Sequence, residues 1–135
     1  MKILVDTSVW SLALRRDQSV DGPVVTELME LITEVRVQMV GPVRQELLSG
    51  IKSQVQFQRL RNSLRAFPDL ELSPRDYESA AESFNFCRSK GIQGSNTDFL
   101  LCAIAIRHKI PIFTTDNDFT LFQSWLPITL HCPRP

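Results

Sequence analysis

The chain has 135 residues, of which 43% are hydrophobic and 22% are charged. At roughly 150 residues per domain, this length predicts a single domain over residues 1–135. Fifteen Lys and Arg residues balance fifteen Asp and Glu residues, which argues against a protein that coats nucleic acid through a large positive excess. The composition also argues against a disordered chain, because disordered chains are poorer in apolar residues.

The cysteines and histidines argue against a zinc site. The three cysteines, at positions 87, 102 and 132, form no closely spaced pair, and the two histidines lie far apart. Reduced thiols in a cytoplasmic protein are the simplest interpretation, and any metal site would rest mainly on oxygen ligands. No stretch approaches the roughly 20 apolar residues that cross a membrane, and Asp6 interrupts the first apolar run too early for a signal peptide.

Buried-strand and helix patterns alternate along the first half of the chain. The apolar run Ile3–Val5 predicts a strand that is buried on both faces, followed by a helix over 9–14 with Thr7 or Ser8 as its cap. The remaining elements predicted here are a loop over 15–22, a helix from Pro23 to about 32, a strand over 35–40 stopped by Gly41-Pro42, helices over 43–51 and 53–67, and a small strand at 70–72.

The second half begins with a well-marked helix. Ser73 is a good cap, Pro74 suits a first helical position, and Gly91 follows the expected end of this helix. The next helix, over 98–109, is almost wholly apolar and is therefore predicted to be central. A strand over 110–113, a short helix over 119–125 and a strand over 128–130 complete the chain. This alternation predicts an α/β fold with a central parallel β-sheet flanked by helices on both faces.

Five acidic residues fall where such a fold can build a site. Asp6 and Asp116 directly follow buried-strand patterns, and Asp98 opens the apolar helix. Ligands of parallel α/β sheets bind at the carboxyl ends of the strands, so these three carboxylates are expected near one edge of the sheet. Glu46 lies on the helix after the second strand, and Asp118 is a further candidate two residues beyond Asp116.

Convergence of these acids has a chemical explanation. Crowded carboxylates repel one another and raise each other's pKa values, and a divalent cation offsets that repulsion. Oxygen ligands suit Mg²⁺ or Mn²⁺, which can activate a water to attack a phosphodiester. Each acid also has a structural explanation: Asp6 or Asp98 can start a helix, Glu46 can lie on a solvated face, and residues 116–118 can form a turn. Their joint placement favours the site.

Four blocks of the sequence resemble the PIN-domain ribonucleases, and most closely the VapC-type toxins of bacterial and archaeal toxin–antitoxin pairs. The blocks are residues 3–10 (ILVDTSVW), 43–50 (VRQELLSG), 96–105 (NTDFLLCAIA) and 113–119 (FTTDNDF). They occur in the family's order and extend across the chain, whose length is similar to that of the family.

The resemblance implies a single PIN-like domain that acts as a Mg²⁺-dependent endoribonuclease, with Mn²⁺ able to substitute, and as the toxin of a type II toxin–antitoxin system. It also implies an RNA substrate, a cognate antitoxin, a homodimer and a cytoplasmic location. The residues that match the family's site are the catalytic acids Asp6, Glu46, Asp98 and Asp116, of which Asp6, Asp98 and Asp116 would bind the metal, and the supporting residues Thr7, Ser8, Thr115 and Asp118.

Two other functions are weighed against this one. A PIN-fold module that binds protein or RNA without cutting would be expected to lack an acid, and none is missing. A phosphatase or phosphotransferase with a nucleophilic aspartate fits Asp6, but such enzymes usually place a second acid two residues later, where Ser8 stands. The basic residues after Glu46 form either a phosphate-binding flank or a solvated helix face. They are Lys52, Arg59, Arg61 and Arg65.

Overall fold

The structure is a computed structural model that describes residues 1–15 and 22–135. Within these residues it contains seven helices and a three-stranded parallel sheet with the strand order β2-β1-β3. The strands are β1 (Ile3–Val5), β2 (Val37–Gln38) and β3 (Ile112–Phe113). The helices are α1 (Thr7–Leu14), α2 (Pro23–Thr33), α3 (Gly41–Leu48), α4 (Gln54–Leu64), α5 (Pro74–Ser89), α6 (Asn96–His108) and α7 (Asp118–Gln123).

The central strand β1 sets the position of both its neighbours. Ile3 pairs with Val37 and Val5 pairs with Phe113, in both cases in parallel. All three residues of β1 are at most 1% exposed, and successive side chains of a strand point to opposite faces. Both faces of the sheet are therefore covered, as the uniformly apolar run predicted, and the α/β fold is confirmed.

Helix α6 is the buried helix of the molecule, as the sequence predicted. Its residues 99–105 are all buried. Ser95 and Asp98 form a reciprocal capping box at its start: the Asp98 N–H donates to Ser95 Oγ at 3.0 Å, and the Ser95 N–H donates to Asp98 Oδ2 at 3.1 Å. Asp98 is thus fixed at the first turn of a helix that cannot shift without disturbing the core.

The other end of α6 is tied to the start of α5 by Asp76, which is 1% exposed. Its carboxylate accepts hydrogen bonds from the Ser73 N–H at 2.8 Å and from Arg107 Nε at 2.9 Å, and lies 3.1 Å from His108 Nε2. Burial by itself raises the pKa of Asp76, but the hydrogen bonds outweigh this effect and lower the pKa to about 2. A charged group therefore fixes the packing of α5 against α6.

The start of α1 differs from the prediction. Asp6 occupies the N-cap position of this helix, which begins at Thr7 and has no side-chain cap hydrogen bond. Neither Thr7 nor Ser8 is the cap, so this prediction is wrong. The physical reason is that both hydroxyls donate to carboxylates instead.

The second strand is shorter than predicted. Val35 lies in a turn with φ of 56°, a conformation that excludes it from the strand. Gly41-Pro42 does not merely stop the strand but forms the first turn of α3, where the fixed φ of proline suits the helix. The helix predicted over 43–51 therefore starts two residues earlier than expected, and its residue Glu46 lies in the last turn of α3.

Neither of the two smallest predicted strands forms: residues 70–72 contain no bridge, although Asp69 just before them does, and residues 128–130 contain a single bridge at Leu130. Met39 bridges Asp69, and Ile112 bridges Leu130, both in parallel. Helix α4 ends at Leu64 rather than at residue 67, and most of the predicted loop over 15–22 lies outside the described residues. Within residues 1–15 and 22–135, no helix is both long and apolar enough to cross a membrane.

Candidate active site

The carboxyl ends of β1 and β3 bring Asp6 and Thr114 together. Asp6 is 6% exposed, and its Oδ2 accepts hydrogen bonds from Ser8 Oγ at 2.7 Å and from Thr114 Oγ1 at 2.8 Å. Because Val5 pairs with Phe113, the next residue of each strand emerges at the same edge of the sheet. The pairing register of the two strands therefore positions the first acid of the site.

Thr114 is a residue that the sequence analysis missed. Thr115 was predicted instead, but Thr115 is exposed, and its hydroxyl has no hydrogen bond to the residues that the structure describes. Its backbone N–H donates to Ser8 Oγ at 3.0 Å. Thr114 Oγ1 also accepts a hydrogen bond from the Asp116 N–H at 3.0 Å. Knowledge that β3 pairs with β1 would have pointed to Thr114, because it directly follows Phe113.

One open cleft of about 610 Å³ contains all four acids that the sequence analysis placed in the site. Its lining includes Asp6, Glu46, Asp98 and Asp116, together with the predicted supporting residues Thr7 and Ser8. Gln45, Ser49 and Thr97 also line the cleft and were not predicted. Thr115 and Asp118 do not belong to its described lining.

Glu46 forms the wall of the cleft on the α3 side. It is exposed, and its Oε1 accepts a 2.7 Å hydrogen bond from Thr7 Oγ1. Thr7 and Ser8 were both predicted as supporting residues of the site. In the structure the Ser8 hydroxyl donates to Asp6 and the Thr7 hydroxyl donates to Glu46, so each hydroxyl orients a different carboxylate.

Burial and the other negatively charged residues of the cleft raise the pKa of Asp98. Burial raises the pKa of its carboxyl, hydrogen bonds from Ser95 oppose that rise, and the negative charges of Asp6 and Asp116 add to it. The repulsion expected of converging acids is therefore present at Asp98. A cation bound in the cleft would remove part of this unfavourable energy.

Asp116 and Asp118 have different environments. Asp116 is half-buried and its Oδ1 accepts a hydrogen bond from the Asp118 N–H at 2.9 Å. Asp118 is exposed and begins α7, whose N-cap is Asn117. The structure thus places Asp116 in the cleft and leaves Asp118 outside it.

The three aspartates of the cleft each keep one oxygen available for a ligand. Asp6 Oδ1, Asp98 Oδ1 and Asp116 Oδ2 have no hydrogen-bond partner in the described part of the chain, while the second oxygen of each residue is held. In residues 1–15 and 22–135, no three Asp, Glu, His or Cys side chains converge closely enough to enclose a metal ion on their own. This oxygen-only set fits Mg²⁺, which binds through one or two carboxylates and retains several waters.

A second cleft of about 620 Å³ adjoins the acidic one and shares Glu46 and Ser49 with it. Its apolar lining is Leu14, Leu47, Ile51 and Leu60, and Arg59 lies at its side. Of the four basic residues noted in the sequence, Arg59 alone belongs to the described lining of either cleft. The guanidinium of Arg61 bonds its neighbour Asn62 at 3.4 Å.

Comparisons with known proteins point in one direction. Residues 3–123 match the family model of the PIN domain. The VapC ribonuclease Mb1587 of Mycobacterium bovis is 31% identical to the chain over 121 residues, which cover 87% of this chain and 88% of the relative. VapBC2 from Rickettsia felis, solved with a DNA fragment from its promoter, superposes with a TM-score of 0.75 at 20% identity over 97% of this chain and 98% of its own. A toxin–antitoxin complex from Klebsiella pneumoniae gives a TM-score of 0.57 at 21% identity over 87% and 90%. At 20% and 21% identity, these two solved structures show that the fold is shared and no more than that.

Proposed function

The chain belongs to the PIN-domain family and, within it, to the VapC-type proteins, and on this premise we propose that it is a metal-dependent endoribonuclease and the toxin of a type II toxin–antitoxin system. The observation that supports the proposal is the cleft in which Asp6, Asp98 and Asp116 each retain one free carboxylate oxygen. A complete set of acids is expected of a nuclease and has no use in a module that only binds.

Asp6, Asp98 and Asp116 would hold Mg²⁺ or Mn²⁺ through these oxygens. The bound cation supplies charge neutralisation on the phosphate and activation of a water. The residues of the chain hold the ligands in place: Ser8 and Thr114 both donate to Oδ2 of Asp6, which fixes the plane of the carboxylate and leaves Oδ1 for the cation. Residues that orient metal ligands in this way commonly contribute about 10–100-fold to activity.

Glu46 lines the same cleft as the three aspartates and is a candidate general base. Its Oε1 is held by the Thr7 hydroxyl, and its Oε2 has no partner among the described residues. An exposed carboxylate fixed in this way can accept a proton from an attacking water. In this proposal, Asp6, Asp98 and Asp116 bind the cation and Glu46 accepts the proton.

The cleft beside Glu46 is the surface that we assign to the antitoxin. It offers apolar side chains for an amphipathic segment, and it opens into the acidic cleft through Glu46 and Ser49. A segment bound there reaches the acids and blocks RNA. We further propose that the chain forms a homodimer and acts in the cytoplasm.

The proposal is tested by RNA cleavage with the purified chain and with Asp98→Asn. Cleavage is expected in Mg²⁺ or Mn²⁺, and loss of cleavage is expected both in excess chelator and in the folded variant. Expression of the wild-type chain is expected to arrest growth, and co-expression of a small open reading frame adjacent to the gene should relieve that arrest. Equal cleavage by the wild type and Asp98→Asn would refute the proposal, because the activity would then not come from this cleft.

A further inference from the structure

We propose that Arg59 binds a backbone phosphate of the RNA that flanks the phosphate at the acidic cleft. Arg59 lies on α4 and lines the second cleft, which shares Glu46 and Ser49 with the acidic cleft. An RNA strand that leaves the acidic cleft past Glu46 enters the second cleft and reaches the guanidinium of Arg59. The inference rests on the proposed function and identifies a residue that binds the substrate away from the reacting atoms.

The position of Arg59 on α4 separates it from the other basic residues of this segment. Four residues of α4 line the second cleft, and their spacing of three and four residues is that of one helix face. They are Gln56, Arg59, Leu60 and Ser63. Arg61 and Arg65 do not belong to the described lining of either cleft. Of the two interpretations of these basic residues, Arg59 therefore fits the phosphate-binding flank and Arg65 fits the solvated face.

The guanidinium of Arg59 is free to bind an anion. Arg59 is exposed, and its side chain has no hydrogen bond or ion pair with residues 1–15 and 22–135. Other arginines of the chain are already paired: Arg44 lies 2.9 Å from Asp69, and Arg107 lies 2.9 Å from Asp76. A guanidinium stays charged near neutral pH and carries five N–H donors in a planar fork, which matches two oxygens of one phosphate.

The charges of the two clefts favour a phosphate as this ligand. The described lining of the acidic cleft includes four carboxylates and no Lys or Arg, and a single divalent cation offsets only part of that negative charge. The second cleft receives positively charged side chains from two elements, Arg15 at the end of α1 and Arg59 on α4. Attraction between Arg59 and a flanking phosphate therefore opposes the repulsion that RNA meets at the carboxylates.

The experiment measures how a fluorescein-labelled, single-stranded RNA oligonucleotide of mixed sequence binds at several NaCl concentrations and constant Mg²⁺, by fluorescence anisotropy. Asp98→Asn is the non-cleaving background. Arg59→Gln, Arg59→Lys and Arg65→Gln are added to it, and each variant is checked by thermal melt. Arg65→Gln is the matched control, because Arg65 is also exposed and ends the same helix, and its replacement removes the same charge outside the described lining of both clefts.

Arg59→Gln should weaken binding about tenfold at low salt, in keeping with the loss of one charged hydrogen-bonding contact. It should also reduce the slope of log Kd against log salt concentration by about 0.7, the value for one phosphate of a single strand. Arg59→Lys keeps the charge but not the planar fork, so it should retain the slope while binding more weakly than the background. Arg65→Gln should stay close to the background in both quantities.

Single-turnover cleavage with Asp98 intact gives a second readout. Arg59→Gln should raise the RNA concentration needed for the half-maximal rate about tenfold and leave the maximal rate close to that of the wild type, because a contact that is equal in the ground and transition states changes binding alone. A lower maximal rate at an unchanged half-maximal concentration overturns the proposal.

The binding data can also overturn it. An unchanged slope in Arg59→Gln, or equal changes in Arg59→Gln and Arg65→Gln, refutes a specific phosphate contact at Arg59 and leaves the second cleft to the antitoxin. Binding with the expected loss of slope in Arg59→Gln, but without RNA cleavage by the wild type, supports the contact at Arg59 and refutes the proposed nuclease.

Discussion

The hydroxyl of Thr114 donates a 2.8 Å hydrogen bond to the carboxylate of Asp6, which lies 108 residues away in the sequence. The bond joins the end of β3 to the end of β1, and Ser8 donates to the same oxygen at 2.7 Å. Two donors on one carboxylate oxygen determine its orientation. The first acid of the cleft is therefore positioned by a residue that no local sequence pattern connects to it.

Thr114→Val should lower cleavage about 10–100-fold, as expected for loss of a residue that orients a metal ligand. Valine has nearly the shape of threonine but cannot donate a hydrogen bond, so Asp6 loses one of its two fixed contacts. Single-turnover cleavage of one RNA at saturating Mg²⁺ measures the effect. The neighbouring variant Thr115→Val is the control, because that hydroxyl is exposed and is not bonded to any described residue, and it should cleave at close to the wild-type rate. An equal loss in both variants would show that the Thr114 hydroxyl has no specific role.

Asp98→Asn should leave the metal-free protein as stable as the wild type, or more stable, while it abolishes cleavage. Asparagine keeps the oxygen that accepts the Ser95 N–H and removes the charge that Asp6 and Asp116 repel. Because the folded pKa of Asp98 is raised, the folded state holds this proton more tightly than the unfolded state. The wild type should therefore lose stability relative to the variant as the pH rises through that pKa. Urea unfolding at several pH values tests this, and a large loss of stability in the variant at neutral pH would mark Asp98 as a structural cap.

Addition of Mg²⁺ should raise the melting temperature of the wild type but not that of Asp98→Asn. A ligand that binds only the folded state stabilises it by RT ln(1 + [L]/Kd), or about 2.7 kcal/mol at one hundred times Kd. The wild-type gain should disappear with excess chelator, together with cleavage. Cleavage that survives verified removal of metal would contradict the metal-dependent mechanism.

Asp116→Asn should reduce cleavage far more than Asp118→Asn. Asp116 lies in the cleft with Oδ2 available, whereas Asp118 is exposed at the start of α7 and outside the described lining. Loss of a direct ligand should exceed the roughly 10–100-fold effect of a residue behind the ligands. Single-turnover rates for both folded variants decide the question, and the roles of the two acids must be exchanged if Asp118→Asn proves the more damaging.

Asp76 should make the protein less stable in acid. Its folded pKa of about 2 lies below the ordinary value of 3.8, so the stability that it contributes is present above the ordinary value and is lost as the pH falls toward 2. The shift corresponds to roughly 2 kcal/mol. The difference in unfolding free energy between the wild type and Asp76→Asn should shrink by about this amount between about pH 5 and pH 2. A difference that does not change with pH would show that the Asp76 carboxylate is not stabilised by Arg107 and His108.

The sequence by itself determined the elements that depend on local patterns. The apolar run of β1, the cap at Ser73 and the uniformly apolar α6 each identify an element, because burial on all sides and capping leave a direct signature in neighbouring residues. The same patterns placed Asp6, Asp98 and Asp116 at element ends, from which their convergence at one edge of a parallel sheet followed.

Only the tertiary structure decided which hydroxyl bonds to which carboxylate of the site. Thr114 rather than Thr115 reaches Asp6 because the register of β3 against β1 places it there, and Thr7 bonds to Glu46 because α3 packs beside α1. Val35 was assigned to β2 incorrectly for a related reason, since a backbone turn between packed elements ends a strand that side-chain hydrophobicity alone would extend. Contacts between residues distant in sequence depend on register and packing, and neither leaves a periodic signal in the residues themselves.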